Sequence, residues 1–161
     1  MDVGCRGSPS YATAKEQMLR ERCQVTTSFD DKGRIGLPAK LRHKLTAEGI
    51  DELVATCFDV GSIRLFGESH FRQHVEGWVA GKDQDDPEVE DYIHAVLAGA
   101  ESCSLDKQGR VRLPQRLRDE AGIGREVVFI SVLDRIEIWD PEAWNARLAQ
   151  ARAGRRRRRG T

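Results

Sequence analysis

The chain has 161 residues, 39% of them apolar and 32% charged, and its 26 Lys and Arg balance 26 Asp and Glu to a formal net charge of zero. That composition excludes a disordered, highly charged chain and suits one compact domain or two small units packed intimately together. No apolar run approaches the roughly 18 residues of a membrane span and no signal-peptide core is present, so a cytosolic protein without membrane contact is expected.

The zero net charge hides an asymmetry. Asp83, Asp85, Asp86, Glu88, Glu90, Asp91 and Glu101 stand against Lys82 alone in the middle of the chain, whereas Arg155–Arg159 is an unbroken arginine run. An anionic partner is therefore not excluded. Cys5, Cys23, Cys57 and Cys103 show no CxxC spacing and are read as buried thiols.

Residues 1–22 are polar, without a clear apolar period, and are read as a flexible N-terminal extension. "CQVTTSF" alternates β-branched and polar residues and predicts a strand, "DDKG" a turn and "RIGL" a second strand, together a β-hairpin. Pro38 is placed to begin a helix in which Leu41 and Leu45 share a face. "ELVATCF" and "IRLF" predict two further strands, and Phe71, Val75, Trp78 and Val79 the apolar face of the next helix. "EVEDYIHAVLAGA" predicts an extra helix with Val89, Ile93, Val96 and Leu97 facing one way.

The same order then recurs. "ESCSL", "DKQG", "RVRL" and "PQRLRDEA" predict strand, turn, strand and helix, and "EVVFISV" and "IEIW" two strands about the turn "LDR". Asp140 is placed to cap a closing helix with Pro141 at its first position and Trp144, Leu148 and Ala151 along one side. "DDKGRIGLPAKLR" (Asp30–Arg42) and "DKQGRVRLPQRLR" (Asp106–Arg118) match at seven of thirteen positions when offset by 76, and "IRLFGESHF" and "IEIWDPEAW" correspond at an offset of 73. The sequence predicts an α+β protein of two pseudo-symmetric β-β-α-β-β repeats, because neither half alone is long enough to bury a sufficient core.

A turn tightened by Gly33 or Gly109 projects the next residue away from the sheet, and that residue is Arg34 or Arg110. The planar guanidinium fork suits guanine O6/N7 or a phosphate, and Lys32, Lys107 and Arg112 add positive charge nearby. Asp30 and Asp106 are acceptors only, suited to fixing the turn or orienting the arginine. The bland reading of the same residues is that each arginine simply pairs with its own aspartate to pin a hairpin. Lys40, Arg42, Arg116 and Arg118 are read as a solvated helix face or a subunit contact, and the arginine run as a solvated tail with a capacity for non-specific phosphate binding.

Two DxxGR-x-x-LP-x-x-LR units about 75 residues apart, with the tail "IEIWDPEAW", resemble the MraZ family of bacterial transcriptional regulators. Each unit is similar to the swapped-hairpin DNA-binding half-barrel of the SpoVT/AbrB superfamily. The resemblance implies a swapped-hairpin barrel with flanking helices, repeats at 23–80 and 101–152, an acidic linker and helix at 81–100 and a basic tail at 153–161. It further implies a ring-shaped homo-oligomer, associated with the nucleoid, that represses the division and cell-wall gene cluster by binding direct repeats in promoter DNA. Arg34 and Arg110 match the family's DNA-binding arginine, and no cofactor or metal is implied. The chain departs from the family pattern in its longer N-terminal lead, in its arginine run, and in the acidic Glu90–His94 segment where an arginine cluster is usual. A divergent paralogue with another operator, an antitoxin-like regulator and an assembly module without specific DNA binding remain as alternatives.

No P-loop, GxGxxG or GxSxG motif is present, and no enzyme is expected. His70 and His74 lie one helical turn apart without a neighbouring ligand set, and the Asp83–Asp86 stretch lacks the glycine and glutamate of a calcium loop.

Overall fold

The computed structural model describes residues 24–132 and 135–160; the N-terminal extension expected at 1–22 lies outside the described residues, as do Cys23, Leu133 and Asp134. The fold is mixed α+β. In chain order it runs β1 (Gln24–Ser28), β2 (Arg34–Gly36), α1 (Ala39–Ala47), β3 (Glu52–Asp59), β4 (Ser62–Gly67), α2 (Glu68–Val79) and α3 (Pro87–Tyr92). A π-helical turn (Ile93–Ala98) follows, then β5 (Glu101–Ser104), β6 (Arg110–Arg112), α4 (Gln115–Ala121), β7 (Glu126–Val132), β8 (Arg135–Trp139) and α5 (Pro141–Arg159).

Six strands make one antiparallel sheet in the order β1-β7-β8-β4-β3-β5, and β2 and β6 form a separate two-stranded ribbon. The strands on either side of each DxxGR turn do not pair with each other. β1 pairs with β7 and β5 with β3, so each hairpin's first strand lies against the other half of the chain. β2 pairs with β6, and β4 with β8. Among the described residues only the bridge Leu105–Val111 joins the two sides of a DxxGR hairpin, whereas β3 pairs with β4 and β7 with β8 as consecutive strands.

The expected swapped-hairpin barrel does not close among the described residues. Among the described residues the ladder is open, ending at β1 on one side and β5 on the other. The cause is local: the chain leaves each edge strand through a loop whose glycine, Gly33 or Gly109, has φ near +75°. This carries β2 and β6 off the sheet toward one another instead of extending it.

The pairings fall at equivalent places in the two halves. In the ribbon, Ile35 faces Val111, Arg34 faces Arg112 and Gly36 faces Arg110. In the β4–β8 pair, Arg64 faces Glu137 between the pairs Ile63–Ile138 and Leu65–Ile136. Leu37 N–H donates to Gly109 O and Leu113 N–H to Gly33 O, at 3.0 and 3.1 Å.

One continuous core lies between the ribbon, α1 and α4 on one side and the inner face of the sheet on the other. Ile35 and Val111 point into it from the ribbon, Leu41 and Leu117 from the two helices, and Leu65 and Phe129 from the sheet, all at most 1% exposed. Each such side chain contributes about 1.5–3 kcal/mol relative to exposure, and because contributions from both halves interleave, neither half retains this core alone. Pro38 and Pro114 stand at the N-caps of α1 and α4, so each helix begins one residue after the proline expected to open it.

Two smaller apolar clusters lie on the outer face of the sheet. α2 packs Phe71 and Val75 on Val54 and Phe66, with Val96 from the π-turn closing over them. The wider π-turn changes the expected apolar face of this segment: Val89 and Val96 are buried, but Leu97 is 41% exposed. Thr56, fully buried in β3, is satisfied there by donating its hydroxyl to Val96 O at 3.0 Å. The Asp86 side chain caps α3 by accepting Glu88 N–H at 2.9 Å.

α5 begins as expected, with Asp140 accepting Ala143 N–H at 3.0 Å and Pro141 in the first turn. Only this start is packed, through Ala143 and Trp144 against Val128, Ile130 and Trp139. Arg155–Arg159, read from sequence as a tail, are the last turns of the same helix, no residue of which is buried. Of the expected buried thiols Cys103 is buried and Cys57 only half-buried, neither in a disulfide, and burial pushes the Cys103 thiol up to about 11, with Glu101 and Glu52 adding to the shift. No helix among the described residues is long and apolar enough to cross a membrane.

Candidate nucleic-acid interface

Each DxxGR loop is built around its aspartate. Asp30 Oδ1 accepts the backbone N–H groups of Lys32 and Arg34, both at 2.9 Å, and Oδ2 accepts Arg34 Nε at 2.7 Å. Asp106 does the same for Gln108 N, Arg110 N and Arg110 Nε, at 2.9, 2.8 and 2.8 Å. The loop also closes through its backbone: Gly33 N–H donates to Asp30 O and Asp30 N–H to Arg34 O, and the second loop repeats both bonds.

The backbone N–H of Arg34, with its side chain and the Lys32 N–H, holds the Asp30 carboxyl down at about 2. The Arg110 N–H lowers the Asp106 carboxyl in the same way. Folded-state values below the unfolded ones mean that the loops' contribution to stability is complete above the ordinary carboxylate range near pH 4. It is lost as the pH falls through about 2 for Asp30. Thermal melts between pH 5 and 2 should therefore show wild type and Asp30→Asn converging at the acid end. A separation that stays constant with pH would contradict this role.

The arginine–aspartate pairing of the bland reading is thus present, but it uses only one edge of each guanidinium. Nε is committed to the aspartate, while the Nη atoms of Arg34 have no protein acceptor among the described residues. Arg110 Nη1 lies 3.9 Å from Asp30 Oδ2, a loose contact that brings the two loops side by side. Both arginines are about 30% exposed.

Strand alternation determines what else shares their surface. Ile35 and Val111 point inward, so Arg34, Arg110 and Arg112 emerge on the outer face of the ribbon, and Gly36 leaves open the place opposite Arg110. Arg34 and Arg110 are diagonal neighbours, which places them about 7–8 Å apart. Lys32 and Lys107 sit exposed in the two loops. Every residue expected from sequence to contact DNA or shape its loop is therefore in or beside one short ribbon and its two turns.

Sequence reasoning misplaced Arg42 and Arg118. They are not a solvated face: each is half-buried and lies across the turn of the opposite unit. Arg42 Nη1 donates to Gln108 O at 3.2 Å, and Arg118 stands against Gly33 and over the Phe29 ring at 5.1 Å. The available signal was their identity at the 76-residue offset, whereas surface positions of α1 and α4 such as Lys40 and Arg116 differ. Arg116 is held by Glu101, Glu120 and Gly99 O, which ties α4 to β5, and Lys40 is exposed.

Gly109 is required twice over. Its φ is +73°, and a Cβ there would collide with the Arg42 side chain. Gly109→Ala should cost about 1–2 kcal/mol for the left-handed backbone, and displacing Arg42 adds to this. Denaturant unfolding measures it; a variant as stable as wild type would show that Arg42 is not bracing the turn.

A family profile described as "MraZ protein, putative antitoxin-like" matches residues 96–159. A relative named transcriptional regulator MraZ from Arthrobacter sp. (strain FB24) is 45% identical over 127 residues, covering 76% of this chain and 82% of its own length. One of the same name from Nocardioides sp. (strain ATCC BAA-499 / JS614) is 41% identical over 131 residues, covering 80% and 85%. Another from Chromobacterium violaceum is 33% identical over 126 residues, covering 78% and 84%. These are names of regulators, not of enzymes. With such identity across most of both chains, added to two DxxGR loops of matching geometry, the chain belongs to the MraZ family.

Proposed function

We propose that the protein is a transcriptional regulator that binds double-stranded DNA sequence-specifically through the β2–β6 ribbon and its two DxxGR loops. The carrying observation is that each arginine is steered by its aspartate through Nε, while the Nη atoms of Arg34 have no protein acceptor among the described residues and Arg110 Nη1 makes only a 3.9 Å contact with Asp30. A pre-aimed Nη fork can take guanine O6 and N7 or bridge phosphate oxygens, and it loses little side-chain entropy on binding. The major groove admits a two-stranded antiparallel ribbon. At ~3.4 Å per base pair, arginines about 7–8 Å apart address positions two steps from each other.

In this reading the halves 23–80 and 101–152 are SpoVT/AbrB-type repeats about a pseudo-two-fold axis, joined by the acidic linker 81–100, and Asp30, Gly33, Asp106 and Gly109 shape the reading loops. Lys32, Lys107 and Arg112 add phosphate contacts. A ring-shaped homo-oligomer presents many such ribbons, so weak single contacts become tight binding on direct repeats in a promoter. Repression of the division and cell-wall gene cluster, from a position on the nucleoid, is the expected consequence. The test is titration of the full chain against a labelled duplex taken from upstream of its own gene and against a shuffled duplex of equal length. Preferential binding to the first supports the reading; equal affinity for both overturns sequence-specific recognition.

A further inference from the structure

We infer that α5 is a second nucleic-acid contact, a rigid arm whose arginine stripe lies along the phosphate backbone of a duplex. This rests on the DNA-binding reading above and extends it to a surface outside the DxxGR loops.

Helicity changes what the arginine run can do. α5 spans nineteen residues and is anchored only by its first turn. At ~1.5 Å per residue, well over half of its length projects from the body. Arg152, Arg155, Arg156 and Arg159 fall at i, i+3, i+4 and i+7, and together they line one concave strip of its surface. None of the four has a carboxylate partner among the described residues. Like charges one turn apart destabilise a helix, and the C-terminal end of the helix dipole offsets only part of that repulsion. An anion along the stripe removes the rest.

The occupant could in principle be the acidic segment of a second copy, but that segment is partly committed to its own turn. Asp83 accepts Asp85 N–H, Asp86 caps α3, and Glu90 stands near His94. A duplex, by contrast, offers evenly spaced phosphates over the whole length of the stripe. Phosphate contacts strengthen binding without reading sequence.

The experiment measures affinity of the full chain for the upstream and shuffled duplexes across a salt series, together with assembly state by light scattering. The variants are Arg152→Gln/Arg155→Gln/Arg156→Gln/Arg159→Gln, the matching four Arg→Lys changes, and Arg34→Ala. Each phosphate contact contributes about 0.9 to the slope of log K against log salt. The Gln variant should therefore lose about three to four from the slope on both duplexes alike, and the Lys variant should keep it. An unchanged slope for the Gln variant overturns the arm, and if its assembly weakens instead, the acidic surface of a second copy is the partner. A preference for the upstream duplex that survives with the slope unchanged sinks the arm and leaves the loops. Equal binding to both duplexes, with the slope lost in the Gln variant, sinks the loops and leaves the arm. No binding by wild type to either duplex overturns both.

Discussion

Arg34→Ala and Arg110→Ala should each reduce the preference for the upstream duplex over a shuffled one by about 5- to 150-fold, the equivalent of 1–3 kcal/mol for one bidentate base contact. The melting temperature should barely move. Asp30 keeps two backbone donors when Arg34 is truncated, and its freed Oδ2 is open to water. Arg34→Lys should fare almost as badly as alanine, because an ammonium cannot hold the aspartate through one edge and present a fork from another. Asp30→Ala should lose affinity by a different route: the backbone donors of Lys32 and Arg34 lose their shared acceptor, so the loop and its arginine lose their fixed direction together. Anisotropy titrations with parallel thermal melts separate the two cases. An Arg34→Ala protein that keeps full preference while remaining folded would reduce the Arg34–Asp30 pair to a hairpin pin. The double variant should lose most of the preference, since the two arginines work on one ribbon and their effects are coupled.

Much of this was legible in the chain, for a definite physical reason. Strand alternation, the Gly-tightened turns, Pro before each short helix and the Asp140 cap are local signals, and the elements they predict are present. The coincidence of Asp30 with Asp106 and Arg34 with Arg110 at one offset brought the candidate residues to notice before any geometry was known. Partner choice was not legible. Nothing within "TTSFDDKGRIG" says that its strands pair with β7 and β6 instead of with each other, because that is decided by which apolar faces the whole chain can bury. The same blindness hid Arg42 and Arg118, which read as outward helix positions until the crossing of the two units lays each over the other's glycine. It also concealed the exposure of Leu97, since a π-turn leaves no clear mark in composition. The arginine run was misread for the opposite reason. A charge block argues for a solvated tail only when nothing nucleates a helix ahead of it, and here Asp140, Pro141 and Trp144 do so.

The largest effect on stability is expected at Glu137, a residue that no motif in the chain marks. It is a carboxylate only 7% exposed in the strand that joins the two halves, facing Arg64 across the β4–β8 pair. Its two oxygens are both engaged: Oε1 accepts Trp139 Nε1 at 2.8 Å and Oε2 accepts Arg135 Nε at 2.9 Å. Glu137→Ala removes the acceptor for a buried indole and the counter-charge for a largely buried guanidinium, so a loss of about 3–5 kcal/mol is expected. The lower end is favoured, because water can reach Arg135, whose side chain is 17% exposed. Glu137→Gln should cost less, since its amide oxygen still serves the indole. Replacing both charges, Arg135→Met with Glu137→Met, should recover part of the loss, because no uncompensated charge is then buried; the orphaned indole N–H keeps it about 1–3 kcal/mol below wild type. Denaturant unfolding of wild type, Glu137→Ala, Glu137→Gln, the double variant and its two single changes to Met settles this. A Glu137→Ala protein within about 1 kcal/mol of wild type, or a double variant that costs the full sum of the two single changes, would show that the pair is not what holds β8 in register. Ribbon and loops lie on the far side of the core from this strand, so every variant that remains folded should still distinguish the upstream duplex from the shuffled one. That outcome would place Glu137 in the scaffold and leave recognition to Arg34 and Arg110.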